Sequence, residues 1–469
     1  MAKKTDPEIL RQRLASLPAD TLADALLSLS LQGGAAEAMV VRLTATSHEL
    51  VKRINSRLAG FRRRRKFLFR SQAPELAAEL SDLLSDIEAA ALTPEQGMRL
   101  VAKFLQLDGK VFDICDDSYG AVGAVFHGEV PEVFWRYASA VADENTVVEV
   151  LVELLLDDPW STRSELLDQA PEFLTGGTIE RLAEVLWQRA QEQHLTDPEH
   201  GRWASQVMHL ASVCGDPDRY RNAALLSHRE SWAKVELTAD GLTHHDALEV
   251  ARLQLMRGQA TEALSLIQEV SAKKGQHRRE ECEKLLQQAH GALGNRTEEA
   301  STARRRFDAA PSADALDELL AVIGDTERPA VVEETLAAYI QAERLSLTGL
   351  KFMLELERPD LAATQIITHA SELDGEQYYF LPAIADQLIQ SGEHLAASLI
   401  LRALVAANLD RALAKYYSHG VRYLVLAGRI ATAVDDWGDQ PDHGRYFAEL
   451  QEQHKRKVSF WKKFMARKK

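Results

Sequence analysis

The sequence predicts an all-α protein, an α-solenoid built from stacked antiparallel helical hairpins. Residues that favour helices are abundant, and the 25 glycines and 14 prolines lie mostly between periodic apolar segments. Alternating β-branched runs, which are typical of strands, are nearly absent. Each amphipathic segment has a single apolar stripe, so neighbouring hairpins must stack to bury it.

Start and stop signals define the elements of the first half. Asp6-Pro7 combines a capping residue with a proline at the first helical position, and Gly33-Gly34 ends the following helix. We therefore expect helices at 6–16 and 19–32, then a longer helix at 35–57 with Gly60 as an interruption. Further helices are expected to begin at residues 73, 93 and 130, and to span 145–155, 161–173, 178–192 and 201–213.

The second half has the more regular hairpin pattern. Ala-Leu-rich segments between 247 and 301 are broken by short turns at Gly258 and Gly294. Small and large residues alternate at the positions where paired helices must cross, and the pattern returns between 384 and 404. These features predict tetratricopeptide-like helical repeats without a strict 34-residue period.

Three regions are predicted along the chain. Region 1–110 is an N-terminal helical region that contains a basic segment at 52–70. Region 111–240 is a central helical region that ends near a polar gap around Gly241. Region 241–469 carries the tetratricopeptide-like repeats, an aromatic C-terminal cap and a basic tail.

The aromatic cap is predicted from rings at helical spacing, which indicate one long last helix. These rings either cover the end of the stack, where no further hairpin follows, or form a groove for a partner helix or peptide. The residues on this face are His443, Phe447, Leu450, His454, Val458 and Trp461.

Composition favours a protein of the cytoplasm. The three cysteines are far apart, so neither metal-ligand spacing nor a disulfide framework is indicated. The N-terminal lysines are not followed by the apolar stretch of a signal peptide, and no window reaches 18 apolar residues. We expect no membrane association.

Charge is distributed unevenly. The net charge is −15, yet residues 50–74 contain nine basic residues and no acid, and residues 453–469 contain eight basic residues and no acid. The remainder of the chain carries about −32. An acidic body with two basic segments raises the question of what the basic segments bind.

Three interpretations of the basic segments stay open. The cations are solvated or pair with the acidic body, they neutralise nucleic-acid phosphates while the interleaved aromatics stack on bases, or they bind an acidic protein. Four consecutive arginines cannot share one helical face. The candidate anion- or partner-binding residues are Arg62, Arg63, Arg64, Arg65, Lys66, Arg70, Lys455, Arg456 and Lys457.

A special turn is predicted at Asp116, Asp117 and Ser118. Adjacent carboxylates beside a hydroxyl suit a divalent cation, but two carboxylates alone do not complete its shell of oxygens. The alternative is that Asp117 or Ser118 caps the next helix while Gly120 eases the turn. We expect no metal and no cofactor, because the calcium-loop spacing is missing from the sequence.

Motifs for catalysis are also missing. The sequence contains neither a nucleophile elbow, nor a phosphate-binding P-loop, nor a dinucleotide-binding glycine pattern. Paired carboxylates are common, as expected on the exposed helix faces of an acidic chain. We therefore expect a protein that is not an enzyme.

Several motifs resemble an uncharacterised bacterial all-helical family of unknown function. They are Asp-Asp-Ser-x-Gly at 116–120, the stretch 416–423, Asp436-Trp437, 443–446, and the residues Leu450, His454, Arg456-Lys457 and Ser459-Phe460-Trp461. The resemblance covers roughly 100–177 and 409–464. It implies kinship with the helical regions that accompany SWIM-type zinc fingers, but carries no activity. The C-x-C…C-x-H zinc ligands are missing here, which excludes a SWIM metal site.

Two functional hypotheses follow. The first is a non-catalytic helical-repeat scaffold in the bacterial cytoplasm that mediates protein–protein interaction. The alternative is a nucleic-acid-associated protein that binds the phosphate backbone through segments 52–70 and 455–469.

Overall fold

A computed structural model describes residues 7–31, 33–197, 201–227, 237–272, 279–411 and 413–467. Within these ranges the protein is all-α, and the predicted fold class is confirmed. Extended pairing there is limited to two isolated bridges, Leu68 with Cys115 and Leu237 with Thr243. None of the described helices combines the length and apolarity that crossing a bilayer requires.

The chain divides into two units, Met1–Gln259 and Ala260–Lys469. The helices of unit 1 are α1 Pro7–Ala15, α2 Ala19–Ser30, α3 Gly34–Thr44, α4 Ser47–Arg63, α5 Ala73–Ala89, α6 Pro94–Leu105, α7 Asp108–Asp113, α8 Ala121–Ala124, α9 Val130–Ala138, α10 Glu144–Leu155, α11 Leu166–Phe173, α12 Gly176–Thr196, α13 Arg202–Cys214, α14 Pro217–Leu226 and α15 His244–Met256. A single π-helical turn, Val125–Glu129, joins α8 to α9.

The helices of unit 2 are α16 Ala260–Ser271, α17 Arg279–Ala292, α18 Arg296–Ala309, α19 Ala313–Ile323, α20 Arg328–Ile340, α21 Leu347–Glu355, α22 Pro359–Thr368, α23 Leu381–Gln390, α24 His394–Asp410, α25 Tyr417–Ile430, α26 His443–Gln453 and α27 Val458–Arg467. Successive helices pack against one another along α16–α19 and again along α23–α25. This is the packing expected of a helical solenoid.

Capping side chains fix where several helices begin. Thr46 and Glu49 form a capping box at the start of α4, and Thr93 with Gln96 forms another at α6. Such caps satisfy backbone N–H groups that have no partner inside the helix. Gly294, with φ of 72°, ends α17 at the predicted turn, because glycine adopts this left-handed conformation at little cost.

The prediction of one continuous helix at 35–57 is wrong. It is two helices, α3 and α4, because Thr46 is extended and starts a new helix with its own capping box. Gly60 does not interrupt α4, which continues to Arg63. Leu50, Ile54 and Leu58 form a continuous buried stripe, and this packing outweighs the weak helix propensity of one glycine.

The core of unit 1 is continuous from α4 to α14. Its buried residues include Leu50, Phe104, Trp135 and Leu186, so the predicted boundary between residues 110 and 111 falls inside one core. A second core, in unit 2, extends from Ala303 on α18 to Phe464 on α27. The boundary between the two compact units lies after Gln259, whereas the predicted region boundaries were after residues 110 and 240.

Candidate binding surfaces

The two arginines in the first half of the basic segment, Arg53 and Arg57, pair with acids inside unit 1. Asp86 on α5 is completely buried. Three guanidinium groups surround its carboxylate, with Nε of Arg42 at 2.8 Å, Nε of Arg53 at 3.1 Å and Nη1 of Arg57 at 2.7 Å. Asp82, one turn earlier on α5, pairs with Arg42 and Arg57. A buried carboxylate needs such partners, because an unpaired buried charge is strongly destabilising.

The second half of the segment lies beyond these acids. Arg64 pairs with Glu79 at 2.8 Å, and its guanidinium lies 5.2 Å from the centre of the Phe61 ring. From Arg64 to Phe69 the chain is not helical, and Arg64 and Phe69 are extended; a short 3-10 turn, Arg70–Gln72, follows. The basic side chains of Arg65, Lys66 and Arg70 are exposed. Within the described ranges, no carboxylate lies at ion-pair distance from Arg62, Arg63, Arg65, Lys66 or Arg70.

The structure brings the basic segment and the special turn together. The Leu68 N–H donates to the carbonyl of Ile114 at 2.7 Å, and the Asp116 N–H donates to the carbonyl of Leu68 at 2.9 Å. Arg70 places its guanidinium 4.9 Å from the centre of the Tyr119 ring. Two sites that are some 50 residues apart in the sequence therefore form one surface.

The carboxylates of the turn are occupied by local hydrogen bonds. Asp117 accepts from the N–H groups of Val122 at 3.0 Å and Gly123 at 2.7 Å, at the start of α8. Ser118 donates to Asp116 from its hydroxyl and its N–H, which holds the pKa of the Asp116 carboxyl below its usual value. This is the capping arrangement. Across the described residues, no three potential metal ligands of the His, Cys, Asp or Glu type come together.

Three aromatic rings on this surface are exposed to solvent. The exposed fractions are 48% for Phe67, 68% for Phe69 and 72% for Tyr119. Phe67 and Phe69 form an edge-to-face pair with ring centres 5.8 Å apart. We call the surface made by the following residues the basic–aromatic face: Arg62, Arg63, Arg65, Lys66, Phe67, Phe69, Arg70 and Tyr119.

Unit 2 contains an aromatic groove of a different kind. A cavity of about 480 Å³ lies between the loop before α23, the end of α24 and the start of α25. Four tyrosines line it, and Tyr379 is 79% exposed. We call it the tyrosine groove; its main side chains are Tyr378, Tyr379, Arg411, Tyr416, His419, Arg422 and Tyr423.

The two guanidinium groups of the tyrosine groove differ: Arg411 has a carboxylate partner, and Arg422 has none among the described residues. Arg411 pairs with Glu376 at 2.5 Å. Arg422 lies 5.1 Å from the centre of the Tyr423 ring and donates to the Tyr423 hydroxyl at 3.4 Å, and the described residues place no carboxylate at ion-pair distance from it. Gly375 allows the loop to approach α24, since a β-carbon there would collide with the carbonyl oxygen of Ala403. The groove is therefore closely packed on one side and offers a cation on the other.

The motif residues near the C-terminus surround a buried arginine. Arg402 on α24 is 7% exposed and lies between the rings of Trp437 and Tyr446, 4.5 Å from each ring centre. Its Nη1 donates to the carbonyl of Pro441 at 2.7 Å. Burial lowers the pKa of Arg402 and raises the pKa of Tyr446. The cation–π contacts compensate in part for the lost hydration of the guanidinium.

The prediction that the aromatic cap is one long last helix is wrong. It is two helices, α26 and α27, because the chain turns between His454 and Lys457. Trp461 then folds back, and its indole N–H donates to the carbonyl of His454 at 2.9 Å. Val458 is 71% exposed and leaves the expected face. Phe460 is fully buried and packs edge-to-face on Tyr417.

The basic tail is less concentrated than the basic–aromatic face. Lys455 pairs with Glu452, Arg456 is exposed and Lys457 is half-buried. Lys462 and Lys463 are exposed on α27, whereas Lys468 and Lys469 lie outside the described residues.

Sequence reasoning missed the most exposed part of the tyrosine groove and the buried arginine. Tyr378 and Tyr379 sit in a loop that has no helical period, and Arg402 interrupts an apolar helix as one isolated charge. The doublet of tyrosines before Phe380 was the available signal for an aromatic surface.

The protein is an all-α chain with exposed aromatic and cationic surfaces. A model of a family of unknown function, DUF6880, matches residues 6–463, so the chain belongs to this family. No curated protein matches the chain. The resemblance to an uncharacterised all-helical family is thereby confirmed, whereas kinship with SWIM-associated helical regions stays a prediction.

Proposed function

We propose that the protein is a non-catalytic scaffold of the bacterial cytoplasm, with tetratricopeptide-like helical repeats, that binds a partner protein. The tyrosine groove is the observation that supports this proposal. Tyrosine and arginine are enriched at protein interfaces, because both offer large contact area together with hydrogen bonding. Arg422 adds a cation that a partner's carboxylate would pair with.

A site-specific photo-crosslinking experiment tests the scaffold. A benzophenone amino acid replaces Tyr379 in the groove, and in a second variant it replaces Leu195, which is 84% exposed on α12 of unit 1. After irradiation in cells, we expect a discrete adduct from position 379 that is not formed from position 195. Adding Arg422→Glu to the first variant should reduce that adduct, because the substitution reverses the charge of the groove arginine that has no carboxylate partner among the described residues.

Two outcomes would count against the scaffold. Identical adducts from both positions would show that capture is non-specific. The same adduct at full yield after Arg422→Glu would show that the groove does not select the partner.

A second candidate function is association with nucleic acid through segments 52–70 and 455–469. The supporting observation is the group of five exposed cations on the basic–aromatic face without an acidic partner in the described ranges. Phosphate binding releases counterions, so affinity must fall steeply as salt rises. Titration of the full chain with DNA and RNA at two salt concentrations tests this function, and absence of binding at low salt would contradict it.

A further inference from the structure

We propose that the basic–aromatic face binds single-stranded nucleic acid, with bases stacked on Phe67, Phe69 and Tyr119 and phosphates held by the neighbouring cations. This inference rests on the second candidate function and names its substrate class. It follows from three features of the face: the direction of its rings, the fixed backbone beneath them and the balance of charge around them.

The rings of Phe67 and Phe69 point outward because the backbone is extended at Leu68, which pairs with Cys115, and at Phe69. In extended backbone, alternate side chains lie on opposite sides. Leu68 packs against the core of unit 1, so Phe67 and Phe69 both turn to solvent. An exposed ring accepts any base by stacking, but only when the base is unpaired and unstacked. In a duplex the base faces are hidden, so these rings would contribute nothing to duplex binding.

The backbone below the rings is fixed before any ligand arrives. Leu68 is hydrogen-bonded to Ile114 and Asp116, and the Phe69 N–H donates to the Gln72 side chain at 3.2 Å. The Gln72 N–H in turn donates to the carbonyl of Phe69 at 2.7 Å. Because this segment is already ordered, binding loses little conformational entropy there.

The charge around the rings favours a polyanion. Four exposed cations precede Phe67 in the sequence, Arg70 follows Phe69, and the Arg70 guanidinium lies over the Tyr119 ring. Asp116 and Asp117 add two negative charges to this surface, but Asp117 caps α8, Asp116 accepts from Ser118, and the five cations outnumber them. Acidic proteins and anionic lipid surfaces would also meet these cations. A single strand is favoured because it carries both phosphates and unpaired base faces, which match the exposed cations and exposed rings of this face.

Fluorescence anisotropy of the full chain tests the inference. The probes are a labelled thymidine single strand of about 20 nucleotides, longer than one binding module usually covers, and a duplex of equal length. Between about 50 and 200 mM salt, we expect single-strand affinity to fall with a log–log slope no steeper than about −3.5, since five cations are available. Loss of both phenyl rings in Phe67→Ala/Phe69→Ala should weaken single-strand binding at least about fivefold and leave duplex binding unchanged.

Two matched variants serve as controls. Arg65→Glu/Lys66→Glu should weaken both probes, whereas Lys103→Glu/Arg181→Glu makes the same charge change at exposed positions elsewhere in unit 1 and should have a much smaller effect. Tyr379→Ala removes an exposed ring in unit 2 and should not change single-strand affinity. Circular dichroism of each variant confirms that the helices remain.

The outcomes separate the inference from the function on which it rests. Equal binding of both probes, unaffected by the phenylalanine variant, would overturn the inference and retain phosphate binding. No binding of either probe at low salt would overturn both. Sedimentation of the protein with phosphatidylserine vesicles, without binding to either probe, would assign the face to lipid and would also overturn both.

Discussion

The two halves of the basic segment 52–70 have opposite environments. Arg53 and Arg57 lie inside α4 and contact Asp86, which is fully buried. Arg65 and Lys66 lie beyond the end of α4 and have no acidic partner in the described ranges. The same residue types therefore serve folding in one half and remain available for binding in the other.

Helical register explains the difference. Arg53 and Arg57 are four residues apart on α4, and Asp82 and Asp86 are four residues apart on α5, so each pair forms a row on one helix face. The two rows meet where α4 packs on α5. Arg65 and Lys66 follow the end of α4, outside its helical register, so they do not extend this row and are exposed to solvent.

The largest effect is expected from Asp86→Ala, which breaks the paired half of the segment. The substitution leaves three guanidinium groups without their buried anion, and breaking a buried pair in this way costs about 3–5 kcal/mol. We expect the free energy of unfolding to fall by this amount in urea denaturation followed by circular dichroism.

Glu79→Ala is the matched control, because it removes the acidic partner of the partly exposed Arg64. Exposed pairs contribute about 0–1 kcal/mol. If Asp86→Ala destabilised the protein no more than Glu79→Ala, the buried network would not hold α4 to α5, and the comparison would lose its basis.

Periodicity and composition predicted the fold class, since helix formers, caps and apolar stripes act locally. The basic segment and the turn at Asp116 were also identified as candidate sites. The sequence did not predict that the Leu68–Cys115 bridge joins these two sites, because no local signal reports pairing between residues 47 positions apart. The split of the helix at Thr46 was visible in principle as Thr-x-x-Glu, a capping-box signature.

Smaller losses of stability are expected from two single variants, one arginine replaced in each half of the segment. Arg57→Ala removes contacts to Asp82 and Asp86 and a hydrogen bond to the carbonyl of Glu79. Hydrogen bonds to charged groups are worth about 1.5–3 kcal/mol, but Arg42 and Arg53 remain on Asp86, so we expect a loss of about 1–2 kcal/mol. Arg65→Ala should change stability by less than about 0.5 kcal/mol. Equal losses in the two variants would show that Arg65 has a folding role that its exposure conceals.

The smallest expected effect is on the pKa of Asp116, which compares the hydrogen bonds from Ser118 with the charge of Arg70. The pKa of Asp116 is lowered from 3.8, mainly by the hydrogen bonds from Ser118 and less by the charge of Arg70. A lowered folded-state pKa means that these contacts stabilise the fold above pH 3.8, and that this stabilisation is lost as the pH falls through the folded-state value.

Carbon-13 NMR titration of the Asp116 carboxyl resolves the two contributions. Ser118→Ala should raise the pKa toward 3.8, and Arg70→Ala should raise it by less, because a hydrogen bond acts at contact distance whereas the exposed guanidinium is screened by water. High salt should reproduce the Arg70→Ala shift and leave the effect of Ser118 in place. A larger shift for Arg70→Ala would mean that this guanidinium is held against the turn, and the second half of the segment would then resemble the first.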